Sequence, residues 1–470
     1  MEQEGERMKL FLVRTSLAAV ALIFFLPVAK SQDTRTVTEP VIPPVCTTLK
    51  AALAAKKGIA LSDEERLDTV RLQAGLDACG PGTAVELSAD GEKDAFLTGP
   101  IQLKQGVTLL IDKGVTLYAS REPKVYEKSP GSCGLVSDAK SGCYTLIVAD
   151  HANGSAIMGD GTIDGRGGEK LLVSGPDGVK EENKTWWELA EDARKGGRQQ
   201  VPRLIETDYT DNFTLYRITL KNSPNFHVVY HHGNGFTVWG LKIDTPKTAR
   251  NTDGIDPSAS KNITVTQSYI RTGDDNIAIK GGDGPVTNMT VIHNHFYSGH
   301  GMSIGSETKA GVSALRVTDL SLDGTDAGVR IKSQQAYGGL VFDAVYDDLC
   351  IRNSKSPIQL DTNYSANPKP GEGLIPIFKD IVLRNVRISG GGKIQLDGFD
   401  HTRRIGIQFD GVMITDDVSK YKPLIDHTDI LLGPGPVNLP LLGTDSTVRG
   451  TTATGELGSC SARFPPFPAQ

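Results

Sequence analysis

The chain is poor in the residues that build bulky cores. Among 470 residues there are 3 Trp, 6 Met and 14 Phe, against 52 Gly. That composition disfavours thick helical packing and favours many turns between thin layers. No two cysteines stand in a C-x-x-C spacing, which argues against a thiolate zinc site. A basic excess is also missing. The formal net charge is −6, so a nucleic-acid partner is not expected. An acidic substrate is not excluded, because a local group of cations can bind what the whole molecule repels.

Long apolar runs are absent apart from Thr15 to Ala29 (TSLAAVALIFFLPVA), which follows Lys9 and Arg14. It is short for a membrane span, and Ala29-Lys30-Ser31 offers a small-x-small cleavage site, so residues 1–31 read as an export signal. Removing them takes away four basic and three acidic groups and leaves a net charge of −7. The mature protein is then expected to be secreted, without membrane attachment, and monomeric. Export permits disulfides. Cys133 and Cys143 enclose a short loop and are expected to pair, as are Cys46 and Cys79, which flank one helical segment. Cys350, in the apolar run DDLCIR, reads as a buried free thiol, and Cys460 as unpaired.

Residues 32–45 form a Pro/Thr-rich leader, expected to be flexible. Ser62-Asp63-Glu64-Glu65 reads as the cap of a helix running to Ala78, with Leu67, Val70, Leu72 and Leu76 near helical spacing. Beyond it the pattern turns to short β-branched phrases. NFTLYRITL, GFTVWGLKI, NITVTQSYI, NMTVIHNHF and ALRVTDLSL align on Phe213, Phe236, Ile263, Met289 and Leu315, with steps of 23, 27, 26 and 26 residues. Such a period signals stacked repeats. The segments are too short for helices and too few per repeat for a propeller blade, so the fold class is all-β, a β-solenoid capped by the N-terminal helix. Residues 46–432 are assigned to it. The polar stretch from Glu169 to Gln200 breaks the rhythm and reads as an insertion beside a cleft. The Pro/Gly/Thr-rich tail, 433–470, is expected to pack in part along the solenoid and to end loosely.

One region concentrates chemistry. Between Arg250 and Lys332 lie RNTDGIDPSAS, RTGDDNIAIK, YSGHGMSIGS and GVRIK. Asp253 to Asp275, Asp275 to His300 and His300 to Arg330 are 22, 25 and 30 residues apart, which are coil-like intervals. Stacking would bring Asp253, Asp274, Asp275 and His300 together, with Arg330 and Lys332 on one face of the next strand. Clustered carboxylates push one pKa up, as acid catalysis of glycoside cleavage requires, and the cations suit an anionic group on the sugar. Each motif alone is weak: Asp-Asp in a glycine-rich turn is ordinarily just a turn. His231-His232 and His293, His295 suggest a metal only faintly, and neither metal nor cofactor is expected.

In order and at these intervals, the NTD, GDD, GHG and RIK blocks resemble the signature blocks of polygalacturonases, glycoside hydrolase family 28. GDGTIDGRGG, TWWELA, NSPNFHVV and IQLDTNY resemble it too, so that the likeness runs from about Cys46 to Asp426, nearest to bacterial secreted endopolygalacturonases. The resemblance implies a single-stranded right-handed parallel β-helix and hydrolysis of α-1,4-galacturonosidic bonds in polygalacturonate (pectin) with inversion. It implies Asp274 as general acid, Asp253 and Asp275 as holders and activators of water, and His300 as support for Asp274. Arg330 and Lys332 would bind a galacturonate carboxylate, Tyr364 would line the same site, and Asn251 would orient the pocket. The chain has GDD where many fungal members have QDD, a change common in bacterial members. Pectate lyase, rhamnogalacturonan hydrolase, a non-catalytic polysaccharide-binding solenoid and exo rather than endo action remain as alternatives at this point.

Overall fold

The computed structural model describes residues 33–56, 58–176, 178–364 and 373–469. The apolar run Thr15 to Ala29 and its cleavage site lie outside the described residues. Thirty-one strands join into one sheet, almost wholly parallel, wound as a parallel β-helix. Each coil hydrogen-bonds to the next at the ordinary strand spacing of roughly 4.8 Å.

The repeat read from sequence is the register of one row of strands. Phe213 pairs with Phe236, Phe236 with Ile263, Ile263 with Met289 and Met289 with Leu315. The row continues through Ala344, Ile381 and Ile407. Inward side chains of successive coils stack into ladders, and every one of the first five is buried. A corner precedes each rung. Asn212, Asn262, Asn288, Asp343 and Asp380 have φ between 52° and 57°. Asn and Asp tolerate this left-handed conformation better than most side chains, which explains why three of the five phrases open on Asn; Gly235 and Ala314 also take positive φ before Phe236 and Leu315.

The N-terminal helix is shorter than expected. A 3-10 turn spans Leu61–Asp63 and the α-helix spans Thr69–Ala78. Glu64 is drawn inward instead of capping. Its carboxylate lies 2.7 Å from Arg121 and 2.5 Å from Arg166, all three buried. Leu72 and Leu76 reach the core, but Val70 faces solvent.

Both ends of the described residues are tied down. The leader is not free: Asp33 is buried, accepts from Thr264 Oγ1 at 2.8 Å and bonds Thr290 through its backbone N–H. Glu39 accepts from Tyr216 at 2.6 Å. After residue 432 the strand Thr444–Gly450 adds one more parallel rung to Tyr421–Leu432. Cys46–Cys79 and Cys133–Cys143 pair as expected, but Cys350 is no free thiol. It is joined to Cys460. From that link the tail runs back along the solenoid. Arg352 packs on Phe464, Arg271 on Phe467, and Tyr297 donates to the Pro465 carbonyl at 2.9 Å. The end of the chain is therefore clasped rather than loose. Among the described residues no helix is long and apolar enough to cross a membrane.

The Cys350–Cys460 link closes a loop of 110 residues, so its loss frees much unfolded-state entropy. Cys460→Ser is expected to cost about 2–4 kcal/mol in urea unfolding while activity per folded molecule is unchanged. An unaltered midpoint would mean that the aromatic and ionic contacts hold the tail alone.

Candidate active site

A second row of strands carries the site. Val228, Ile255, Ile277, Met302 and Val329 pair in sequence across five coils. Two residues before each of the first four stand Phe226, Asp253, Asp275 and His300, which therefore share one coil position. One residue after Ile255, Met302 and Val329 stand Asp256, Ser303 and Arg330. Ile331 points into the core and its neighbours Arg330 and Lys332 point out, as strand alternation demands.

The loops before these strands are held rigidly. Asn276 is fully buried; its Nδ2 donates to the carbonyls of Ile270 and Ser298, and its Oδ1 accepts from the Gly301 N–H at 2.9 Å. The His300 N–H donates to the Asp274 carbonyl at 2.9 Å. Two glycines are dictated by space. A Cβ on Gly273 would sit 1.9 Å from the Ala249 carbonyl oxygen, and one on Gly301, at φ 82°, 2.0 Å from that of Ala327. The glycines of the GDD and GHG blocks are thus close-approach positions.

The side chains form two charge groups. His300 Nδ1 lies 2.9 Å from Asp274 Oδ1 and 3.9 Å from Asp275 Oδ1. Asp275 is clasped by Arg330 Nη1 at 2.9 Å, Lys332 Nζ at 2.8 Å and Ser303 Oγ at 2.7 Å. Tyr364 closes this group: its ring lies 5.4 Å from the Arg330 guanidinium and 5.3 Å from the Lys332 ammonium. The second group is deeper. Lys280 Nζ is 2.9 Å from Asp256 Oδ2 and 3.5 Å from Asp253 Oδ2, while Asp253 Oδ1 is buried without a hydrogen-bond partner. Asn251 occupies a left-handed turn (φ 56°) next to Arg250, whose guanidinium donates to the Ala190 carbonyl at 2.6 Å. That contact ties in the insertion, a hairpin Lys170–Gly175 and Gly178–Thr185 followed by the helix Trp186–Asp192. Trp187 also donates to the Ser223 carbonyl.

Electrostatics divide the carboxylates unexpectedly. Burial, with the negative charges of Asp256 and Asp274, pushes Asp253 well up. Burial pushes Asp256 up to about 6, although Lys280 opposes it. Burial also acts upward on Asp274, but the His300 hydrogen bond and charge and the Lys332 charge outweigh it and hold Asp274 below the usual range. In the free protein the raised carboxyl is therefore not the one expected to serve as acid.

Two groups have ligand atoms within 4.8 Å of one another, Asp208–His231–His232 and Asp274–Asp275–His300. In the second, Arg330 and Lys332 already occupy both oxygens of Asp275, an arrangement suited to an anion rather than a metal. His232 is a left-handed turn residue bonded to Asp208, and His293 one paired with Asp319.

All eight site residues expected from sequence lie in this region. Asp256, Lys280, Ser303 and Gln359 were missed; Gln359 Oε1 accepts from Arg330 Nε at 3.2 Å. Aligning the second strand of each coil would have flagged three of them, since Asp256, Ser303, Arg330 and Gln359 share one register line.

The family description "Glycosyl hydrolases family 28" matches residues 79–426. The chain belongs to glycosyl hydrolase family 28. It is 43% identical over 418 residues to an endo-polygalacturonase of Pectobacterium carotovorum subsp. carotovorum, covering 88% of this chain and 96% of that one. It is 38% identical to a polygalacturonase of Ralstonia solanacearum, with 92% of each covered. The solved polygalacturonase from Erwinia carotovora ssp. carotovora superposes with a TM-score of 0.70 at 38% identity, covering 91% of this chain and 99% of that chain. A Yersinia enterocolitica family 28 exopolygalacturonase shares the fold, with a TM-score of 0.67 at 20% identity, over 88% of this chain and 79% of that one. The family makes this protein a glycoside hydrolase.

The raised carboxyl of Asp256 has a stability consequence. Its folded value, about 6, exceeds the ordinary 3.8, so the folded state holds this proton more tightly than the unfolded chain. The associated stability is full below about pH 4 and is lost as pH rises through about 6. Asp256→Asn is therefore expected to be more stable than wild type at neutral pH, by about 3 kcal/mol, with the difference vanishing near pH 4. Melting temperatures across that window decide it; an equal gain at both ends would contradict the charge assignment.

Proposed function

We propose that the protein is a secreted polygalacturonase that cleaves α-1,4-galacturonosidic bonds inside polygalacturonate, with inversion. The observation that carries this reading is the Asp275 carboxylate held by Arg330 and Lys332 beside the Asp274–His300 pair. Two fixed cations under an aromatic ring suit a sugar that bears a carboxylate. Family membership and the printed activity of the relatives support the same substrate. The three disulfides fit an oxidising, extracellular setting.

Asp274 is the general acid, and His300 is its partner in holding one transferable proton. The depressed Asp274 of the free protein is compatible with this role, because substrate changes the balance. A galacturonate carboxylate drawn to Arg330 and Lys332 engages the Lys332 charge that now stabilises ionised Asp274. It also adds a negative charge and excludes water. Each effect raises the proton affinity of Asp274. Asp253 and Asp275 hold and activate the attacking water. Asn251 and Tyr364 shape the sugar pocket. Exo action is the second reading, favoured by the inserted hairpin and helix bonded to Arg250, which stand beside the pocket.

A product time course on polygalacturonate tests the mode. Fast viscosity loss with few new reducing ends and a ladder of oligomers is expected, whereas steady release of monomer or dimer would make the enzyme exo-acting. Asp274→Asn should lower kcat by about 10²–10⁴-fold, and NMR of nascent product should show the β-anomer first.

Substrate charge tests the cation pair. Arg330→Ala should lower kcat/KM on de-esterified polygalacturonate by roughly 10–100-fold, the loss of a charge-assisted contact. The wild-type enzyme should prefer that substrate to fully methylated pectin; equal rates on the two would remove the carboxylate-binding role.

A further inference from the structure

Lys280 is a charged group at the centre of the site that the mechanism above does not use. It follows the strand Ile277–Ile279 and bridges to Ser258 of the preceding coil. Its side chain is 22% exposed, with Nζ 4.2 Å from the Phe226 ring centroid and within ion-pair distance of both Asp253 and Asp256. The other cations of the site are committed, Arg330 and Lys332 to Asp275 and His300 to Asp274. Asp253 thus faces three carboxylates, Asp256, Asp274 and Asp275, and one cation, Lys280. Asp256 faces Lys280, Asp275 and, from the earlier coil, Arg203. Arg203 is itself paired with Glu206 at 2.9 Å. Glu307 faces Lys280 from the next coil, and the His227 ring bonds the Asp253 backbone carbonyl through Nδ1 and Thr245 Oγ1 through Nε2.

We infer that Lys280 is a positioning residue that favours the carboxylate form of Asp253, the form able to take a proton from water, and that Asp256, by sharing the same ammonium, limits how strongly it does so. Water attack needs an unprotonated Asp253, yet burial and three like charges all favour its protonated form. Lys280 supplies the opposing charge. Asp256 both adds a like charge and turns the ammonium partly away, at 2.9 Å against 3.5 Å for Asp253. The two residues therefore act on Asp253 in opposite directions. This inference rests on Asp253 as the water-activating group.

The test is the pH dependence of kcat/KM on de-esterified polygalacturonate, from about pH 3 to about pH 8, for the full chain and for Lys280→Met, Lys280→Arg and Asp256→Asn, with melting curves to establish folding. An opposite charge at this distance shifts a carboxyl by about one to three units. The acidic limb is expected to move up by about one unit or more in Lys280→Met, with activity recovering at higher pH. It should move down in Asp256→Asn and stay near wild type in Lys280→Arg. Limbs that coincide with wild type, or that move the same way in Lys280→Met and Asp256→Asn, overturn the inference. If Lys280→Met does not fold, the direction of the Asp256→Asn limb decides alone. Asp253→Asn separates the two levels of argument. Retained wild-type hydrolysis in that variant removes Asp253 as the base, whereas its inactivity with unmoved limbs in the others removes only the role of Lys280.

Discussion

The register of one coil on the next is the constraint on which the rest of this protein depends. In a parallel stack, residues at the same coil position become lateral neighbours at strand spacing. Phe226, Asp253, Asp275 and His300 are scattered over some seventy residues of chain, yet each stands two places before a rung of the same ladder. A slip of one residue in any coil would turn Arg330 and Lys332 inward and Ile331 outward. The ladders of Val, Ile, Leu and Phe hold the register, because such a slip would bury charge and expose apolar rungs over every later coil. The fold is in this sense the alignment device of the candidate site, and the loops add only the last turn of each of its side chains.

That alignment forces like charges together, and the structure handles them by pairing each carboxylate differently. Asp275 takes two cations and a hydroxyl, Asp274 takes a histidine, and Asp253 and Asp256 divide one lysine. Buried ion pairs of this kind contribute little to stability once desolvation is counted. Their effect is on proton location. Under the proposed function, the clasp on Asp275 means that a substrate carboxylate must compete for Arg330 and Lys332 with a group already in place. Binding therefore redistributes charge within the site and is coupled to the protonation of Asp274.

How much of this was legible in sequence follows from how local each cause is. The four blocks are short, their glycines answer to close backbone approaches between neighbouring coils, and left-handed corners mark the repeat, so the ladder and the gathering of the eight expected residues in one region could be read directly. Pairings made across the fold could not. Glu64 looks like a helix cap until Arg121 and Arg166 draw it inward. Cys350 looks like a core thiol until the tail returns with Cys460 after 110 residues. Lys280 and Asp256 lay inside the blocks, but their partnership depends on side-chain direction across two coils. The sequence also led to the expectation of a raised carboxyl among the clustered aspartates, without indicating which one carries it.

The location of that raised carboxyl bears on how an acidic site can work on an acidic polymer. Were Asp274 protonated in the free protein, the cations would face one fewer negative group and would bind Asp275 more firmly against the incoming sugar. With Asp274 ionised and its carboxylate held 2.9 Å from His300, the proposed mechanism has Asp274 take up its proton when substrate draws off the Lys332 charge. In that mechanism the charge that would recognise the sugar would also govern when the acid is armed. A neutral sugar in that subsite would leave Lys332 on Asp275 and Asp274 ionised. Selectivity for a carboxylate-bearing sugar would thus arise in the chemical step as well as in binding.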